Sequence, residues 1–163
     1  MRNLLVLLMI GFSSVVYSQS TQQPFKITLS MAKPEVNVGD HVYIDLLMTN
    51  TSNQDVNCTI YAEGSLDGNY EYNVLDEDGQ PPPKIVRIHP LSSAIYPCII
   101  KPGESRSISG LISQLYYFIQ PGKYTIQVTR GYEGSDDLVK SNTITITVLP
   151  ADDPSAGGAG PHK

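Results

Sequence analysis

Ile99-Ile100-Lys101-Pro102-Gly103-Glu104-Ser105-Arg106 and Gln120-Pro121-Gly122-Lys123-Tyr124-Thr125-Ile126-Gln127-Val128 decide the fold, because each sets a Pro-Gly pair directly before a strand-like segment. Proline presets φ at the second position of a turn, and glycine accepts positive φ at the third. After the second turn, Tyr124, Ile126 and Val128 alternate with Thr125, Gln127 and Thr129. The same period returns at Ile144, Ile146 and Val148 against Thr143, Thr145 and Thr147. A period of two puts every second side chain on one face, the pattern of a half-buried strand.

Working outward, Phe25-Lys26-Ile27-Thr28-Leu29-Ser30 alternates in the same way, and in His41–Asn50 the residues Val42, Ile44, Leu46 and Met48 share a face. Asn50-Thr51-Ser52-Asn53-Gln54-Asp55 is dense in side chains that bond locally to the backbone, so it reads as a turn. Val56, Cys58 and Ile60 then resume the period. Tyr70, Tyr72 and Val74 mark a further strand that ends at Asp76-Glu77-Asp78-Gly79, a hairpin-type signal. Pro81, Pro82 and Pro83 cannot donate to a ladder, so Ile85–Ile88 is expected to be an edge strand or a loop leading into one. Ile108, Gly110 and Ile112 fall on one side of Ser105–Ser113, and Leu115–Ile119 reads as a short hydrophobic crossing with a brief helical turn. The expected fold is all-β: one immunoglobulin-like antiparallel β-sandwich of seven to eight strands over residues 25–149.

The ends read differently. Met1, Arg2 and Asn3 precede an apolar run, Leu4–Phe12, and Val16 and Ser18 occupy the small-residue positions of a cleavage site, so residues 1–18 are expected to be a signal peptide. Gln19, not cysteine, would be the new amino terminus, so no lipid anchor is expected there. Residues 150–163, rich in Gly, Ala, Pro and Asp, have little to bury and are expected to be disordered. Export to the periplasm or beyond, with no membrane insertion after cleavage, is the localisation this implies.

The whole chain carries a formal charge of −5, which becomes −6 when Arg2 leaves with the leader. Phosphate backbones and anionic lipid surfaces are held by clustered Lys and Arg, and no such stripe is present, so nucleic acid is not an expected partner.

Val38-Gly39-Asp40-His41-Val42 into Leu47–Ser52, Val74-Leu75-Asp76-Glu77-Asp78-Gly79, Lys101-Pro102-Gly103-Glu104-Ser105 and Gln120-Pro121-Gly122-Lys123-Tyr124 resemble the immunoglobulin-like sandwiches appended to secreted bacterial proteins. The layout is similar to the sandwich domain of peptidyl-lysine metallopeptidases and, more loosely, to the intracellular proteinase inhibitor of bacilli. The resemblance covers roughly Phe25–Leu149 and consists of turn motifs, so it implies a fold and carries over no binding residue. The metallopeptidases' catalytic half is not expected here, so the resemblance implies the sandwich alone.

Cys58 and Cys98 are the only cysteines, and in an exported chain an even pair reads as a disulfide. Two separate thiols are the competing reading. Tyr124 fits a tyrosine corner, a structural hydroxyl bonded back to the preceding crossover. His41, His89 and His162 have no metal-ligand spacing, and neither a His-Glu-x-x-His nor a Gly-x-Ser-x-Gly motif occurs, so no catalytic, metal or cofactor residue is assigned. Asp76–Gly79 with Glu71, and Glu133–Asp137, could offer calcium oxygens but lack the spacing of a known loop, and solvated turns are favoured. Asn50-Thr51-Ser52 and Asn57-Cys58-Thr59 match the glycosylation pattern, which matters only in a host that glycosylates. Tyr61, Tyr70 and Tyr72, and Tyr116, Tyr117 and Phe118, form two aromatic groups read first as packing. The function expected is an exported, non-catalytic protein-binding or accessory module that contacts another envelope or secreted protein. The alternatives are an inhibitor or regulator of a secreted peptidase, and a carbohydrate-binding module.

Overall fold

The computed structural model describes residues 23–61, 70–86, 95–132 and 134–151. Residues 1–18, where a signal peptide is expected, His89, His162, Glu133, residues 87–94 and most of the C-terminal tail lie outside them, as do the side chains of residues 59–61 and 95.

The chain is all-β. Its strands are β1 (Phe25–Ser30), β2 (Glu35–Asn37), β3 (Tyr43–Asn50), β4 (Val56–Tyr61), β5 (Glu71–Leu75), β6 (Ile95–Ile100), β7 (Ser105–Leu111), β8 (Gly122–Gly131), β9 (Leu138–Lys140) and β10 (Ile144–Leu149). One sheet has the order β1-β3-β7, the second β2-β10-β8-β5 with β9 also on β8, and β4 pairs with β6 as a two-stranded ribbon. All pairings are antiparallel except β10 with β2. The inward positions of both larger sheets fill one core: Ile27, Leu46 and Met48 from the first, and Val74, Ile126 and Ile146 from the second, all buried. Fully burying such a side chain contributes about 1.5–3 kcal/mol, so the alternation read in the sequence is also the main source of cohesion.

Ten strands appear where seven to eight were expected, for two physical reasons. Pro34 interrupts the first strand, and the chain leaves β3 and crosses to β10, where the Pro34 carbonyl accepts the Thr147 N–H at 2.8 Å. β9 and β10 are likewise one strand broken by a bulge. Lys140 opposes Thr129 and Ile144 opposes Ile126, so three residues face two. The extra residue is accommodated chemically. Ser141 Oγ accepts the Val128 N–H at 2.9 Å, and the Asn142 amide both accepts from Leu29 N (2.8 Å) and donates to Leu29 O (2.9 Å). Asn142 thereby stands in for a missing strand against the outer edge of β1.

Two further expectations change. The helical turn falls at Ile112–Gln114, not within Leu115–Ile119; in the latter stretch Tyr116 and Phe118 are buried and Tyr117 and Ile119 exposed. Pro81–Val86 is not a strand: it docks through one bridge, Lys84 to Tyr116, with Ile85 N bonded to Leu115 O and Tyr117 N to Pro83 O. Three successive prolines remove the donors a longer ladder would need. Arg87 and Ile88 lie outside the described residues.

The Tyr124 hydroxyl donates to the Gln120 carbonyl at 2.9 Å and its ring meets Phe118 edge-on at 5.2 Å. Tyr116 donates to Tyr72 O at 2.6 Å, occupying a carbonyl of β5. Burial pushes both phenols above their ordinary value, and a nearby negative charge adds to it, Asp76 for Tyr124 and Glu71 for Tyr116. Because the folded state holds these protons more tightly than the unfolded state, their contribution is complete below about pH 10 and is lost as pH rises through the folded values. Urea midpoints are expected to fall above about pH 10, and less so in a Tyr116→Phe/Tyr124→Phe variant. At neutral pH, Tyr124→Phe should cost about 1 kcal/mol, the net value of one hydrogen bond.

Candidate functional site

The β3–β7 ladder stops at Thr49 and Ser105. β3 leads through one turn into β4 and β6 leads through another into β7, so the β3–β7 pair of the first sheet is joined to the ribbon at both turns. The Lys101-Pro102-Gly103-Glu104 turn closes with Glu104 N bonded to Lys101 O at 2.9 Å, and Gly103 takes φ +80°. This is the positive-φ position that Pro-Gly implied.

The opposite turn, residues 51–55, is organised by Asn50. The period of β3 aims Asn50 inward after Ile44, Leu46 and Met48, and it is 1% exposed. A buried amide must be bonded to be tolerated. Asn50 Nδ2 donates to Gln54 O (2.7 Å) and Ile100 O (2.8 Å), and Oδ1 accepts from Ser52 N (2.9 Å) and Ser52 Oγ (2.8 Å). Those bonds engage the nitrogen that the glycosylation pattern would modify. The other acceptor, Asn57, is exposed on β4.

Cys58 and Cys98 face each other directly in the β4–β6 register and form a disulfide, with Cα atoms 4.9 Å apart. That spacing is ordinary for a bridge. Cys58 is buried while Tyr96 and Ile99 on β6 are 55% and 60% exposed. Pro97 is accommodated within β6, a strand with one neighbour among the described residues.

Beside the ribbon lies a cleft of about 540 Å³, formed where Pro24 and Phe25, the turn 52–57 and the end of β8 at Arg130–Tyr132 meet. Arg130 is its organising cation. Its Nη1 donates to Tyr70 Oη (3.0 Å) and approaches Met48 Sδ (3.2 Å), and its Nη2 donates to Asn57 O (3.2 Å). The guanidinium also lies 5.0 Å from the Tyr70 ring and 5.5 Å from that of Phe25. Phe25 in turn meets Tyr132 edge-on at 6.1 Å. A planar, weakly hydrated guanidinium suits such a stacked position, whereas ammonium does not. Arg130→Ala should therefore cost about 2 kcal/mol, with Arg130→Lys recovering less than half of it in chemical denaturation.

Other candidates are turns. Asp76 Oδ1 accepts from Asp78 N and Gln80 N, within its own turn. Among the described residues, no three His, Cys, Asp or Glu side chains are grouped to hold a metal ion, and no helix is long and apolar enough to cross a membrane. His41 is exposed ahead of β3, with its ring 6.3 Å from Tyr43. Tyr70 and Tyr72 pack at 6.5 Å.

No family model matches the chain. No curated relative matches it either. Among solved structures, it is similar to part of a β-glucosidase from Erythrobacter marinus (12% identity, TM-score 0.44, 77% of this chain and 15% of that one). It is also similar to part of an alkylpurine DNA glycosylase from Pseudomonas fluorescens (10%, 0.44, 77% and 30%). A third likeness is to a CARDB domain from Pyrococcus furiosus solved with two metal ions (11%, 0.42, 76% and 91%). The chain thus spans a small share of both enzymes, and likeness at this level says nothing of its activity or ligand.

Proposed function

We propose that the chain is an exported, non-catalytic binding module that presents the disulfide-locked β4–β6 ribbon to another protein. The observation that carries this reading is the ribbon itself: two strands with no third partner among the described residues, cross-linked at Cys58–Cys98, with Tyr96 and Ile99 exposed. An open strand edge can accept an added strand, and Tyr96 and Ile99, three residues apart and so on opposite faces of β6, place exposed apolar area on both sides of that edge. The disulfide supports export, since such bonds persist in oxidising compartments. Regulation of a secreted peptidase is the same reading with a peptidase as the partner, and the inhibitor-like layout is what suggests it.

The test is affinity capture from the host's envelope and secreted fractions, comparing the oxidised chain with its Tyr96→Ala/Ile99→Ala variant. Both sites are exposed, so the variant should fold with a change within about 0.5 kcal/mol. One protein enriched by the parent and lost from the variant is the expected result. Equal capture by both, or none by either, would reject the ribbon as the contact. If the captured protein is a peptidase, its inhibition by the chain separates regulation from assembly.

A further inference from the structure

We infer that the cleft beside Arg130 is a binding site for an oligosaccharide; it meets the ribbon at Val56 and Asn57 of β4, whereas the protein contact proposed above lies on Tyr96 and Ile99 of β6. Four side chains that line it, Asn53, Gln54, Asp55 and Asn57, make no hydrogen bond to another described residue, and the same is true of the Tyr132 hydroxyl. They stand on a backbone that is already fixed. Ser52 Oγ accepts from Gln54 N, Asn50 ties the turn to Ile100 O, and Arg130 holds Asn57 O. A rim of unengaged polar groups on a rigid frame is preorganised for a ligand rich in hydrogen-bonding groups.

The groups also select the class of ligand. Amides both donate and accept, a carboxylate only accepts and a guanidinium only donates, so the rim offers every complement to a polyol, whose hydroxyls each do both. Asp55 and Arg130 line the same cleft without forming an ion pair with each other. A free anion attracted by Arg130 would also face Asp55; a neutral sugar can use both. Tyr132 provides the aromatic surface on which the apolar face of a pyranose packs. The volume, about 540 Å³, falls in the range of small-ligand sites and suits two or three sugar rings.

The probes are a panel of defined hexasaccharides (β-1,4-glucan, β-1,3-glucan, chitin-type, xylan-type and mannan-type) titrated into the oxidised chain while amide NMR signals are followed. At least one is expected to bind at micromolar to millimolar concentration and to shift the signals of residues 53–57 and 130–132. Asp55→Ala and Asn57→Ala, at exposed positions, should leave the melting temperature within a few degrees and weaken that sugar's binding tenfold or more. Silence across the panel, shifts confined to other surfaces, or binding untouched by both variants would overturn the proposal. A titration with poly-glutamate is the counter-probe: if it shifts residues 53–57 and 130–132 while every sugar fails, the cleft is an anion site and the inference is wrong. Loss of ribbon binding in the capture experiment leaves this result unaffected, so the two proposals fail separately.

Discussion

Replacing Cys58 and Cys98 by serine is expected to lower the unfolding free energy by about 4 kcal/mol. The two residues are 40 apart in sequence, and the loop they close contains β5 and part of each arm of the ribbon. In the loop-entropy account the bridge acts on the unfolded chain, which regains the freedom of that segment when the bond is absent. The lost packing is small by comparison, since serine is close to cysteine in size and Cys98 is only partly buried. Against a typical total of about 5–15 kcal/mol, the loss would leave a marginal protein. Denaturant titration of the double-serine variant beside the parent, both at neutral pH, measures it. A loss under about 1 kcal/mol would mean that the ribbon unfolds before the rest and that the bond stabilises it only locally.

Asn50→Ala is expected to cost about 3 kcal/mol, more than any exposed turn residue could. Four side-chain bonds vanish together, and one of them, to Ile100 O, is buried. Net gains of about 1 kcal/mol per bond would add to more than this, but solvent can reach the Gln54 and Ser52 groups and recovers part of the loss. Asn50→Asp separates geometry from hydrogen bonding. It keeps the shape and the acceptor to Ser52, but turns a carboxylate oxygen toward the Gln54 and Ile100 carbonyls. The folded-state pKa of that new carboxyl is therefore raised, so the variant is most stable below about pH 4 and weakens as pH rises through that higher value. An Asn50→Asp variant as stable at neutral pH as the parent would show that Asn50 does not hold the turn.

The alternating segments made most of this architecture legible before any coordinates. β1, β3, β8 and β10 follow the period of two, and Lys101–Glu104 closes as its Pro-Gly pair requires. What stayed hidden depends on partners far away in sequence. Nothing local in Ser141-Asn142-Thr143 announces a bulge; it exists because β8 is met by two registers that differ by one residue. β6 was obscured by Pro97, which an inner strand would exclude and a two-stranded ribbon tolerates. The cleft was harder still. Arg130 is one cation in an alternating strand, and its meaning appears only when Phe25, Tyr70 and Asn57 converge on it from three other segments. Asn50 could have been suspected, because it continues the inward register of Ile44, Leu46 and Met48 with a polar side chain. The turn-rich neighbours masked that signal.

Amide hydrogen exchange of the oxidised chain, with and without the protein it captures, tests the central claim most directly. The account predicts added protection concentrated in residues 95–100 and the facing residues 56–61, with β5, β8 and β10 unchanged. Protection that falls instead on the β1-β3-β7 sheet or the 81–86 loop, with the ribbon exchanging as before, would contradict it.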